Sequence, residues 1–228
     1  MNKILDNITS LGKSFYGLVI YFCISQILSF IIKSIPNLNN FLYSLILISS
    51  ELITLILLLI VFRKRIKKDF IDFDKNYKKY LSLGFKVWLI GLMVMIISNN
   101  IIYRFIPIDV ATNQVNNIVI TSKFPLYSVL SIILIGPYIE EIVFRLSFKE
   151  NLKNKKLYYI LSVLIFTSLH VLNGISNPLE LIYFIPYGSL AIAFSYILDK
   201  TDNIFTTIII HSFHNALSVV LIIVTSFI

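Results

Sequence analysis

The sequence predicts an all-α fold, a polytopic membrane helical bundle with seven or eight transmembrane segments. Hydrophobic residues make up 57% of the 228-residue chain and mean hydropathy is +0.84, above the roughly 45–50% apolar share of soluble domains. Charged residues are only 14%, against about 25% in an ordinary domain, and most cluster between long apolar runs. A water-soluble globule is excluded. The net charge of +8 is concentrated in two interhelical connections, where the positive-inside rule places it, so it reads as topology and not as a nucleic-acid surface.

The first run, Lys13 to Ile32, follows a short basic start, exceeds a typical signal core and has no Ala-x-Ala site after it; it reads as a retained helix. Further runs follow at Phe41–Phe62, Leu81–Ile102, Pro125–Phe148, Leu157–Leu172, Leu179–Leu198 and Ile204–Ile228, several near the ~20 residues that cross a ~30 Å hydrocarbon core. That gives seven spans, and a Tyr103–Phe124 connection that dips back into the bilayer would make an eighth. Arg63 to Lys79 and Lys149 to Lys156 are the two strongly basic connections, expected on the cytoplasmic side with the amino terminus. The first is read as a loop, with contact to anionic lipid headgroups as a minor extra role. Seven alternations then put 33–40, 103–124 and 173–178 outside, with the carboxyl terminus. Pro36, Pro107, Pro125 and Pro178 fall at or near helix edges, and no repeat or linker divides the chain. Residues 1–228 read as a single integral membrane domain. The single cysteine, Cys23, rules out a disulfide within the chain and is expected to be a buried small hydrophobe.

Polar residues inside these runs need a reason, because an acidic residue at the centre of a span costs ~2.5–3.5 kcal/mol on insertion scales. Of twelve acidic residues, Glu51, Glu140 and Glu141 fall well inside spans. Glu141 and Arg145 are i and i+4 on one helical face and can neutralise each other. Glu140, turned about 100° away, is left facing another part of the bundle. Pro137 removes one backbone bond and frees a carbonyl, which membrane helices tolerate beside protein or water. All three histidines, His170, His211 and His214, lie in spans or at their ends, and His211 and Asn215 share a face at i and i+4. At 1.5 Å per residue, Glu140 lies roughly 12 Å in from Phe148 and His211 roughly 11 Å in from Ile204, whereas His170 comes out roughly 20 Å from Leu157. Tilt, or a helix starting near Lys155, absorbs the difference. Glu51 and His214 read as interhelical polar contacts and Phe166 as packing that can wall a pocket.

The succession Glu-Glu-x-x-x-Arg at 140–145, Phe-x-x-x-His at 166–170 and His-x-x-x-Asn at 211–215 resembles the CAAX-protease and bacteriocin-processing (CPBP, Abi) family of intramembrane endopeptidases, over roughly residues 125–220. The resemblance implies that Glu140 and His170 activate a water for attack on a peptide carbonyl. It implies that His211 and Asn215 face the oxyanion, with Glu141, Arg145 and Phe166 in support. The chemistry is coherent: a carboxylate taken out of water becomes a better base near neutral pH, and imidazole and amide N–H groups stabilise an oxyanion in a low-dielectric site.

Both metal-dependent and glutamate-dependent mechanisms have been described for the resembled family. Glu140, His170 and His211 offer the three ligands of a catalytic Zn site, but the His-Glu-x-x-His helix of many zinc proteases is absent, so the reading here requires no cofactor. The alternative function is a non-catalytic membrane immunity or binding protein against a peptide toxin; an ion transporter fits less well, without paired broken helices. Four alanines amid abundant Ile, Asn and Lys suggest an AT-rich bacterial genome, hence a plasma-membrane protein. Its expected partners are the lipid bilayer and a peptide or protein substrate: a pheromone precursor, a bacteriocin precursor or a lipidated tail.

Overall fold

A computed structural model describes residues 9, 11–108, 110–173, 175 and 177–225. Among them there is no strand. The helices are α1 (Tyr16–Ser34), α2 (Asn40–Val61), α3 (Arg63–Phe105) and α4 (Thr112–Lys123), then a continuous helical run from Pro125 to Asn151 taken as α5. After it come α6 (Lys155–Leu172), a 3₁₀ turn (Pro178–Tyr183), α7 (Phe184–Thr201) and α8 (Ile204–Thr225).

Six candidate membrane spans among the described residues are long and apolar enough to cross a membrane, corresponding to α1, α2, α3, α6, the 3₁₀ turn with α7, and α8. The remaining expected span is α5, which two π-helical stretches, Val129–Ile135 and Ile142–Leu146, break into short α segments. Helix α4 occupies the connection expected to dip back into the bilayer; its 12 residues reach ~18 Å, too short to cross ~30 Å.

Helix α5 lies at the centre. Ile142, Val143, Phe144, Arg145 and Leu146 are each at most 1% exposed, so consecutive residues pointing in every direction are covered, as only a surrounded helix allows. Against it, α1 approaches closely: a Cβ on Gly17 would lie 3.2 Å from the Val143 Cα, and Ser147 Oγ donates to Ser14 O at 2.6 Å. Helix α3 packs on α7 in the same way, with Gly91 facing Ala193 and Ser189 Oγ donating to the Gly91 carbonyl at 3.1 Å. The Tyr158 hydroxyl joins α6 to α7 by donating to Ser195 O at 2.9 Å.

The two basic connections meet at one end of the bundle. Arg65 bonds Asp69, Asp202 and Glu150, while Lys149 and Lys155 both reach Asp199, at 2.8 and 2.5 Å. Asp69 Oδ2 accepts the Ile204 N–H at 3.0 Å, capping the first turn of α8 from a neighbouring helix. The Arg63–Lys79 stretch, expected as a loop, is helical and continuous with the membrane-spanning part of α3. No proline or glycine interrupts residues 63–83, and Arg65–Asp69 is an i,i+4 pair. Taking 100° per residue, Lys64, Lys67, Lys68, Lys75, Lys78 and Lys79 fall within about 120° of arc and all are exposed. Asp69 and Asp72, outside that arc on the side of Lys79, bond Asn203 and Ile204 instead.

Cys23 is exposed on α1, not buried. It lies on the helix beside Val19, Phe22, Ile27 and Phe30, all exposed, a face that meets hydrocarbon in a bilayer, where lipid replaces a protein partner for apolar side chains.

Candidate functional site

The site is assembled from α5, α6, α7 and α8. On α5, Glu141 and Arg145 pair as the i,i+4 spacing requires, Oε1 to Nη1 at 3.2 Å, with both side chains 0% exposed. The same Oε1 lies 2.8 Å from His211 Nδ1 on α8. A carboxylate accepts, so Nδ1 carries the proton and Nε2 is turned to the other side of the ring. There it lies 3.6 Å from Glu140 Oε2. Glu140 is thus separate from Arg145, as its angular offset demands, yet both glutamates converge on one imidazole from opposite sides. Glu141 is sealed, whereas the Glu140 side chain is 27% exposed; of the two, Glu140 is the one a small molecule can reach.

Arg145 is held by more than its carboxylate. Its guanidinium lies 3.9 Å over the Phe166 ring and 5.7 Å from that of Phe194, the planar stacking that suits arginine in a desolvated place. Phe194 stacks in turn on His211, with centroids 4.8 Å apart and planes 22° apart. Phe166 sits 4.1 Å from the His170 ring. His170 therefore joins the cluster through the Phe166 ring, which also lies against Arg145 and His211. The offset in depth is met by a helix α6 that begins at Lys155, in the charged layer with Asp199. His170 Nδ1 is 2.9 Å from the Phe166 carbonyl, which only accepts, so Nδ1 is protonated and Nε2 offers a lone pair.

Asn215 meets backbone. In the first π stretch the Gly136 N–H reaches Ser131 O, an i to i+5 bond; the next bond of that ladder would run from residue 137 to Ile132 O, and residue 137 is proline. Asn215 Nδ2 supplies the missing donor at 2.8 Å. One hydrogen of its NH₂ is thereby used, and the second has no partner among the described residues.

His214 accepts a long hydrogen bond from the Trp88 indole at 3.4 Å and packs edge-on against it, an interhelical contact. Glu51 on α2 likewise bridges helices, accepting from Tyr127 and Ser131. Among the described residues, no three His, Cys, Asp or Glu side chains converge as a metal-holding group. Both ring nitrogens of His211 face carboxylates. Glu140, His170 and His211, the ligands a Zn ion would take on the sequence reading, make up no such group among the described residues, and no step is derived through a metal. The sequence reading missed Phe194, whose only signal is an aromatic residue in an apolar helix.

The comparison with known families falls on this part of the chain. Residues 121–217 match the family described as type II CAAX prenyl endopeptidase Rce1-like, a stretch that includes Glu140, Glu141, Arg145, Phe166, His170, His211 and Asn215. This region resembles the Rce1-like family. UPF0177 protein YbdI of Lactococcus lactis subsp. lactis (strain IL1403) is 32% identical to the chain over 103 residues, 42% of this chain and 57% of YbdI. The chain thus matches a little over half the length of that curated relative. No solved structure matches it. In the Rce1-like region both glutamates and His211 lie within one connected set of contacts, and the aromatic rings of Phe166 and Phe194 close it from the sides.

Proposed function

We propose that this protein is an intramembrane endopeptidase that hydrolyses a peptide bond in a membrane-associated peptide or protein. The observation that carries the reading is the Glu141–His211–Glu140 bridge, in which one carboxylate is sealed with Arg145 and the other is open, beside His170, whose Nε2 has no hydrogen-bond partner among the described residues. In this reading a water sits between Glu140 and His170 Nε2. Glu140 takes its proton as the oxygen attacks the substrate carbonyl. The tetrahedral oxyanion is met by the second Nδ2–H of Asn215 and by His211 Nε2–H. The latter requires the imidazolium form, since Nδ1–H is committed to Glu141. Collapse breaks the C–N bond, and the proton held by Glu140 passes to the leaving amine. Glu141 and Arg145 orient His211, as a carboxylate orients the imidazole of a hydrolase triad.

No metal enters this scheme. The substrate class is a peptide pheromone or bacteriocin precursor, or a lipidated tail, processed at a bacterial plasma membrane with the amino terminus cytoplasmic. The test is cleavage of a panel of such peptides by the purified protein in nanodiscs, wild type against Glu140→Gln, each with and without a strong chelator. The expected result is wild-type cleavage that survives the chelator and falls by about 10²–10⁴ in the variant, the usual worth of a general base. Full activity in Glu140→Gln would overturn the reading, and loss in chelator would overturn its metal-free form. If no peptide is cleaved, weight moves to an immunity or binding role.

A further inference from the structure

Glu51 is the third carboxylate within the apolar spans, and the reaction proposed above does not use it. Its Oε1 accepts the Ser131 hydroxyl at 2.7 Å and the Tyr127 hydroxyl at 2.9 Å. Both donors belong to α5, one just before the first π stretch and one inside it. Ser131 acts twice: its side chain binds Glu51, and its carbonyl takes the Gly136 N–H that closes the π turn. A Cβ on Gly136 would lie 2.8 Å from that carbonyl and 4.0 Å from Glu140 Oε1. The Ser131 carbonyl and the Glu140 carboxylate therefore both border the place that a side chain on residue 136 would take. On the neighbouring carbonyl, Ile132 O, Asn215 replaces the N–H that Pro137 lacks. Residues 131 and 132 are thus held by two different helices, α2 and α8.

We propose that Glu51 is a positioning residue: by gripping Ser131 and Tyr127 it holds the π turn of α5, opposite Asn215, in the shape that presents Glu140 to His211. Its catalytic consequence rests on the peptidase reading; its structural consequence does not. The grip needs an acceptor for two hydroxyl donors, not a charge, so a glutamine carbonyl serves as well as a carboxylate oxygen. An alanine takes the shared acceptor from both hydroxyls in the apolar interior, beside a π turn, a rare interruption of an α-helix.

The test is hydrogen–deuterium exchange of the peptides covering 129–141 in nanodiscs, for wild type, Glu51→Gln, Glu51→Ala, Ser131→Ala and Glu140→Gln, together with kcat and KM on a peptide that the wild type cleaves. Glu51→Ala is expected to raise exchange in that segment about 10-fold or more and to lower kcat by a similar factor with KM within about twofold, while Glu51→Gln restores both to within about threefold. Ser131→Ala, which keeps Glu51 in place, moves exchange in the same direction by less. Glu140→Gln loses cleavage with exchange unchanged. Glu51→Gln behaving like Glu51→Ala would overturn the proposal in favour of a role for the charge, and Glu51→Ala behaving like wild type would overturn it outright. Should the wild type cleave none of the peptides, weight moves from the peptidase reading to an immunity or binding role, and the exchange data still decide the clamp.

Discussion

Removing one member of the Glu141–Arg145 pair is expected to cost more than removing both. Each side chain is 0% exposed, with oxygen and nitrogen 3.2 Å apart, and Arg145 Nε and Nη2 have no hydrogen-bond partner among the described residues. Breaking a buried pair by one substitution leaves an uncompensated charge and costs ~3–5 kcal/mol, whereas replacing both members by apolar groups of similar volume is often neutral. Arg145→Met and Glu141→Leu should therefore each lose ~3–5 kcal/mol. The double variant retains the stacking volume over Phe166, and its residual loss comes from His211, whose Nδ1–H loses its acceptor at 2.8 Å, worth ~1–3 kcal/mol. The two losses are then non-additive by at least about 3 kcal/mol, well above the few tenths seen for independent sites. Unfolding by sodium dodecyl sulfate in mixed micelles, followed through the single tryptophan, Trp88, measures all four corners of the cycle. Losses that add within about 0.5 kcal/mol would refute the reasoning, since they would mean that neither charge depends on the other.

Four further outcomes are expected. Gly91→Ala places a Cβ 2.9 Å from Ala193 Cβ and 3.3 Å from Ser189 O and should lose ~1–3 kcal/mol by overpacking. Gly188→Ala, whose nearest neighbour is 3.9 Å away, should stay within about 0.5 kcal/mol or gain slightly in the same unfolding assay. Glu180 accepts from the Thr112 N–H and hydroxyl at 3.1 and 2.8 Å and from the Asn177 N–H at 3.1 Å. Glu180→Ala should accordingly loosen α4, seen as faster amide exchange over 112–123. The exposed lysines of α3 should be protected from amine-labelling reagents in nanodiscs containing phosphatidylglycerol relative to phosphatidylcholine alone, and the protection should fade at high salt.

Hydropathy made the bundle legible, because spans must be long and apolar whatever their partners. The spacing of Glu141 to Arg145 was equally readable, since i,i+4 neighbours meet wherever the helix packs. The convergence of both glutamates on His211 was not, because it depends on how α5 and α8 cross. The helical state of residues 63–80 was present as an unbroken stretch free of proline and glycine, but the lysines on it read first as a connection. Asn215 illustrates the hardest case. Its partner is a carbonyl freed by Pro137, and that carbonyl can be identified only when the ladder in this segment is known to be i to i+5.

The two π stretches of α5 enclose a six-residue α segment, Gly136–Glu141, that carries both glutamates. A π turn spans one residue more than the α turn it replaces. Deleting a residue between 129 and 135 would let the α ladder close, but would turn the preceding part of α5 by about 100° and draw it in by ~1.5 Å relative to Glu140 and Glu141. A deletion between 142 and 146 would do the same to Ser147 and Phe148, against which α1 packs. The glutamates are therefore held in phase with α1 and α2 by the count of residues on either side of them. Single insertions or deletions here would unmake the geometry while leaving every polar residue in place.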